Sequence, residues 1–403
     1  MNPGAVPFSG ICETGWEPVR AAIEANFAST GELGCSVAIF HRGRPVVDLV
    51  AGWTDQERSV PYTADNLQVV FSTTKGIAAT ALAMCVDRGL VDYATPVSHY
   101  WPEFAAHGKD NITVAQLVSH QAGLYTIDEK LTLDEILDDA RIARALADTK
   151  PRWEPGTAHG YHALTYGWLV GEIVRRVSGR SIGEFFAEEV AEPLGLDFWI
   201  GLPESEQHRV APLIPMSAVP EPMMLAEEGP GSDDAPMSLI AMLEQFLGPD
   251  NLVGRALTAP GGAFAEEQVW NESRVWSAQI PAANGITNAT SLARMYSSLV
   301  AETDGVRTLQ PETVDRAIVP QVSGPDSVLI FPIPFALGFM THSDMSPFLG
   351  GRSFGHGGAG GSLGFADPDR SIGGGYVMNK MHMGLTGDPR NIALLDAVDR
   401  SVT

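Results

Sequence analysis

The chain has 403 residues, 44% of them hydrophobic and 19% charged, an ordinary balance for a globular protein that excludes wholesale disorder. A formal net charge of −23 argues against nucleic acid or an anionic membrane as the main partner, because either would repel such a surface. No run reaches the ~18 apolar residues of a membrane span. The N-terminus shows neither a basic region nor an apolar core, so cytoplasm is the expected location.

In chain order, Trp16, Val19, Ala22, Ile23 and Phe27 fall at helical spacing and predict a helix over 14–29. Two β-like runs, 35–40 and 45–50, flank the turn His41-Arg42-Gly43-Arg44 and predict a hairpin. The stretch from 72 to about 200 reads as mostly helical. Residues 203–265, with clusters such as Pro220-Glu221-Pro222 and Gly229-Pro230-Gly231, read as an irregular excursion, a surface loop or a lip over a site. Strand character returns at 335–340, 359–366 and 371–378, the last two joined by the turn Asp367-Pro368-Asp369-Arg370, and a helix over 391–402 closes the chain. The expected fold class is therefore mixed α/β. One antiparallel sheet is built from both chain ends (1–71 and 280–403) and flanked by terminal helices. A mainly helical unit (72–279) is inserted, and a small-molecule groove lies between the two. Cys12, Cys35 and Cys85 are odd in number and lack CxxC spacing, as expected of free thiols in a reducing compartment.

The chemistry begins at Ser72-Thr73-Thr74-Lys75. Of the five lysines in the chain, only Lys75 has a serine three residues before it. The apolar run from Gly76 to Val86 predicts a helix, on which positions i and i+3 share a face. An amine beside a hydroxyl can make serine a nucleophile, and a helix's first turn favours a developing anion. Alternatively, Ser72 is only a helix cap. A nucleophilic serine also needs a proton relay, and Tyr161, following the Pro155-Gly156 turn, is the candidate.

These residues carry a resemblance. The tetrad Ser72–Lys75, the run from Thr113 to Leu124, Pro155-Gly156 leading to Tyr161, the run Glu192-Pro193-Leu194-Gly195-Leu196, the segment from Asn284 to Arg294 and a glycine-rich strand at 355–364 stand in one order. In that order the chain resembles the serine β-lactamase and penicillin-binding-protein superfamily, in its class C branch, which includes the family VIII carboxylesterases. The resemblance covers nearly everything but 203–265. It implies Ser72 as nucleophile and Lys75 and Tyr161 as general acid/base pair. It places the oxyanion hole in the amides of Ser72 and Ala359, and a substrate-binding third motif at His356, Gly357 and Gly358. It also implies a small-molecule ester as substrate and neither metal nor cofactor.

Two departures direct the expected activity. His356 stands where the lactamases carry lysine, and Ala163 stands where they carry asparagine, so permanent charge and an amide are both missing from the substrate side. Both changes suit neutral esters. The alternatives are a β-lactamase, a D-amino-acid peptidase or transesterase of the same superfamily, and a non-catalytic binding homologue. Ser362, in Gly360-Gly361-Ser362-Leu363-Gly364, fits the G-x-S-x-G elbow, but a turn rather than a helix follows it, so it reads as a decoy. His159 and His162 read as histidines without metal, and His120 as structural.

Overall fold

The computed structural model describes residues 6–215, 247–248, 251–382 and 387–402. Most of the irregular excursion, including its Pro220–Pro222 and Gly229–Gly231 clusters, lies outside the described residues. The amino-terminal strands are β1 (Phe8–Cys12), β2 (Gly34–His41) and β3 (Arg44–Gly52). The hairpin between β2 and β3 turns at Arg42 and Gly43, both left-handed (φ 53° and 77°), a geometry that matches strand twist. A short sheet follows from β4 (Gln68–Val69), β5 (Phe198–Ile200) and β6 (Gly285–Thr287), in the order β4-β6-β5. The carboxy-terminal strands β7 (Met340–Thr341), β8 (Phe354–Gly357), β9 (Leu363–Asp367) and β10 (Ile372–Met378) complete a seven-stranded sheet, ordered β1-β3-β2-β10-β9-β8-β7 and antiparallel throughout.

Both chain ends thus meet in one sheet, along the β2–β10 seam. Alternate residues of β2 point to opposite faces. Val37 and Ile39 join the cluster formed with α1 (Glu17–Ser29) and the last helix, whereas Ala38 and Phe40 join the larger core on the other side. That larger core contains α2 (Thr74–Asp87), α3 (Thr165–Ser178) and α4 (Ala289–Val300). Every residue of α2 from Thr74 to Cys85 is buried, which explains why its sequence is apolar all round. The closing helix α5 (Pro389–Val402) packs on α1. No helix among the described residues is long and apolar enough to cross a membrane.

Two strand expectations are corrected. Residues 335–340 are bent rather than extended. Gly338 takes φ +97°, Phe335 and Met340 meet only as an isolated bridge, and β7 begins at Met340. The glycine-rich run 355–364 is a hairpin instead of one strand, and the strand expected over 359–366 starts only at Leu363. Gly360 and Gly361 (φ +81° and +121°) reverse the chain there, a conformation open to glycine and costly for other residues.

Arg390, at the start of α5, is 2% exposed and ties the two chain ends together. It pairs with Asp388 at 2.7 Å and with Glu32 at 3.4 Å, and Glu32 also accepts from the Tyr376 hydroxyl. Burial pushes the Glu32 carboxyl up, opposed by Arg390. Arg390→Met leaves that carboxylate buried without its cation and is expected to cost about 3–5 kcal/mol in urea denaturation. Arg20→Ala breaks the half-exposed pair with Glu24 and an exposed contact with the Phe8 ring, and should cost about 1 kcal/mol or less.

Candidate active site

Ser72 sits in a single 3₁₀ turn, Phe71–Thr73, that runs into α2. Phe71 is held at φ +43°, a left-handed conformation that costs a non-glycine residue roughly 1–3 kcal/mol. Its ring packs edge-on against Trp270 at 5.2 Å, and Val70 is fastened to β6 by Val70 N–H to Gly285 O at 2.9 Å. The turn presents Ser72 half-buried, one helical turn from Lys75, and Lys75 Nζ lies 3.0 Å from Ser72 Oγ. The cap position of α2 is Thr73, whose side chain makes no capping bond, so capping does not explain the tetrad.

Lys75 is completely buried. Nζ also contacts the carbonyl oxygens of Ala163 at 2.6 Å and Ala282 at 3.1 Å. Neither acceptor carries a charge, and desolvation lowers the amine's pKa well below the ordinary lysine value. A neutral amine has two N–H bonds and one lone pair. With the N–H bonds directed at the two carbonyls, the lone pair is left for the Ser72 hydroxyl. Ala163, which lacks the asparagine amide, thus acts through its backbone.

Tyr161 is 7% exposed, lies with its ring 4.8 Å from Lys75 Nζ, and hydrogen-bonds Ser72 through its hydroxyl. Burial raises its phenol, partly offset by that hydrogen bond. Its backbone N–H is anchored by Asp326 Oδ1 at 3.1 Å, which also takes the amides of Val328 and Leu329 at 2.8 Å each. One buried carboxylate therefore couples Tyr161 to the loop that forms the opposite wall. His356 lies 6.1 Å from the Tyr161 ring, centre to centre. Burial first, then the proximity of Lys75, lowers its pKa to about 3, so it is neutral at ordinary pH. Nδ1 contacts the Gly357 carbonyl at 2.7 Å, which fixes the proton there.

Ser72, Tyr161, His356, Gly357 and Ala359 line one cleft of about 390 Å³, closed by Leu257, Leu329, Ile333, Phe335 and Met340. Lys75 lies beneath it. Gly358 does not line the cleft; a Cβ there would meet Ser362 Oγ at 2.2 Å and Val70 O at 2.3 Å. The glycines at 358, 360 and 361 are required by protein neighbours rather than by close approach of a substrate, and only Gly357 faces open space. Ser362 is fully buried behind this wall. His162 uses both ring nitrogens on backbone groups, Gly160 O at 2.7 Å and Leu124 N–H at 2.9 Å, and His120 Nδ1 accepts from His162 N–H at 3.1 Å. Sequence reasoning did not find Ala282, Asp326 or the Phe71–Trp270 contact. Each lies far along the chain from its partner, and no local pattern announces it.

The chain as a whole has relatives. A family model described as Beta-lactamase matches residues 19–398. The chain belongs to the beta-lactamase family. It is accordingly a hydrolase. Among curated proteins it is 35% identical over 366 residues to Esterase/beta-lactamase LipL of Mycobacterium tuberculosis, covering 86% of this chain and 77% of that one. A crystal structure of a family VIII carboxylesterase superposes with TM-score 0.84 at 36% identity, over 98% of this chain and all (100%) of the other. A penicillin-binding-protein homologue from Caulobacter crescentus gives TM-score 0.84 at 38% identity, with 98% and 100% coverage.

The lowered Lys75 pKa carries a signed expectation. If the neutral amine activates the serine, the rate of fluorophosphonate labelling should climb with pH along a limb whose midpoint lies well below 10.5, then level off. A midpoint near 10.5 would contradict a desolvated Lys75.

Proposed function

We propose that the protein is a serine carboxylesterase, acting on small to medium carboxylic esters through an acyl-enzyme on Ser72. The observation that carries this reading is the fully buried Lys75, 3.0 Å from Ser72 Oγ and paired otherwise with two uncharged carbonyls. Lys75 accepts the Ser72 proton as Oγ bonds to the ester carbonyl carbon. Negative charge moves to the carbonyl oxygen, which the amides of Ser72 and Ala359 receive. The ester C–O bond then breaks, and the alkoxide takes a proton through Tyr161. Water attacks the acyl-enzyme by the reverse relay, releasing the acid and restoring the Ser72 hydroxyl. Because burial raises the Tyr161 phenol while it lowers the Lys75 amine, the natural division of labour is Lys75 as base and Tyr161 as acid.

Esters are favoured over β-lactams and peptides by the uncharged substrate side. His356, neutral at its pKa of about 3, offers no cation to a substrate carboxylate, and the cleft walls are apolar. The family VIII carboxylesterase among the relatives supports this choice, while the name of LipL covers both esterase and beta-lactamase.

On p-nitrophenyl butyrate, Ser72→Ala should lower kcat by about 10⁴-fold or more. Tyr161→Phe should lower it about 10²–10³-fold with the fold intact by circular dichroism. Turnover of a chromogenic cephalosporin should be far slower than that of the ester. Ester turnover undiminished in Ser72→Ala would overturn the mechanism, and cephalosporin turnover faster than ester turnover would overturn the substrate class.

A further inference from the structure

Ser362, the centre of the G-x-S-x-G run, has no part in the reaction above, yet it is fully buried and fully bonded. Its Oγ lies 2.7 Å from Val70 O and 3.0 Å from Thr73 Oγ1. A carbonyl can only accept, so Ser362 donates to Val70 and Thr73 donates to Ser362. Val70 and Thr73 bracket the turn that carries Ser72. Ser362 itself ends the tight turn that carries Ala359, closed by Gly358 N–H to Ser362 O at 2.8 Å. The two segments approach so closely that only glycine fits at 358. From behind, Arg390 donates to Gly360 O, and Asn391 Nδ2 to Gly361 O at 2.9 Å.

One hydroxyl therefore bridges the two segments that carry the Ser72 and Ala359 amides. We propose that Ser362 is a positioning residue for the oxyanion site, clamping the Gly358–Ser362 turn to the Val70–Thr73 turn at the spacing that lets both amides reach one oxygen. The inference rests on the acyl-enzyme reading of Ser72. Two amides stabilise an oxyanion only if both lie within hydrogen-bonding distance of the same atom. Without Ser362 Oγ, the buried Thr73 hydroxyl loses its acceptor and one link between the two turns is gone. The serine that imitates a nucleophile elbow thus serves the serine that the elbow motif does not mark.

The test compares wild type, Ser362→Ala, Thr73→Val, Thr73→Ser and Ser72→Ala on p-nitrophenyl butyrate, with affinity for phenylboronic acid as second readout. Boron forms a tetrahedral adduct on a nucleophilic serine and places an oxygen in the oxyanion site. Ser362→Ala should lower kcat about 10–100-fold, leave KM within about twofold, and weaken boronate binding by a similar factor. Thr73→Val should show a smaller loss of the same kind, and Thr73→Ser, which keeps the hydroxyl, should restore both readouts. Thr73→Val also supplies the answer should Ser362→Ala not fold. Lower melting temperature with kcat and boronate affinity within twofold of wild type would reduce Ser362 to a structural residue and overturn the proposal. Undiminished turnover in Ser72→Ala would instead overturn the acyl-enzyme reading itself, and the clamp with it.

Discussion

A lysine buried without a counterion is the constraint on which the site depends. Taking an ammonium out of water is costly unless an anion accompanies it, and among the described residues Lys75 meets two backbone carbonyls, a hydroxyl and the Tyr161 ring. The cheaper solution is to lose the proton. A neutral amine with both N–H bonds engaged has one lone pair left, facing Ser72. Burial, ordinarily a liability for lysine, here favours the neutral amine, the form that the proposed base requires.

That burial is produced by the whole architecture. The carbonyls of Ala163 and Ala282 come from segments 88 and 207 residues beyond Lys75. Asn284 holds the second of these segments through Ile280 N–H at 2.8 Å and the carbonyls of Val275 and Ala278 at 2.8 and 2.6 Å. The strained backbone of Phe71 keeps Ser72 out of regular helix, and Trp270 and the β4–β6 pairing hold that strain in place. The hairpin β8–β9 then brings His356 and Ala359 across the cleft from Tyr161. Sheet, helical core and loops each contribute a part that the others cannot supply.

The parts legible in the sequence were those set by local pattern. The β2–β3 hairpin followed from alternation and an Arg-Gly turn, α2 from its apolar run, and the Ser72–Lys75 pair from helical spacing. β1 was not read, because five residues with a glycine at their centre give little alternation. The 355–364 run was misread as one strand because glycine's composition does not reveal its φ. Asp326 anchors Tyr161 across 165 residues, and such a contact has no local signature. Ser362 was set aside as nucleophile because no helix was expected after it, and strand β9 does follow it, while its bond to Val70, 292 residues away, could come only from the fold.

The most direct test of the central claim is to trap the intermediate. Wild-type enzyme mixed with a slowly deacylating aryl ester and quenched in acid should gain the mass of one acyl group. Peptide mapping should place it on Ser72, and Ser72→Ala should gain none. An acyl group found on Ser362 or elsewhere, or turnover of the same ester with no acylated protein at any quench time, would contradict the account.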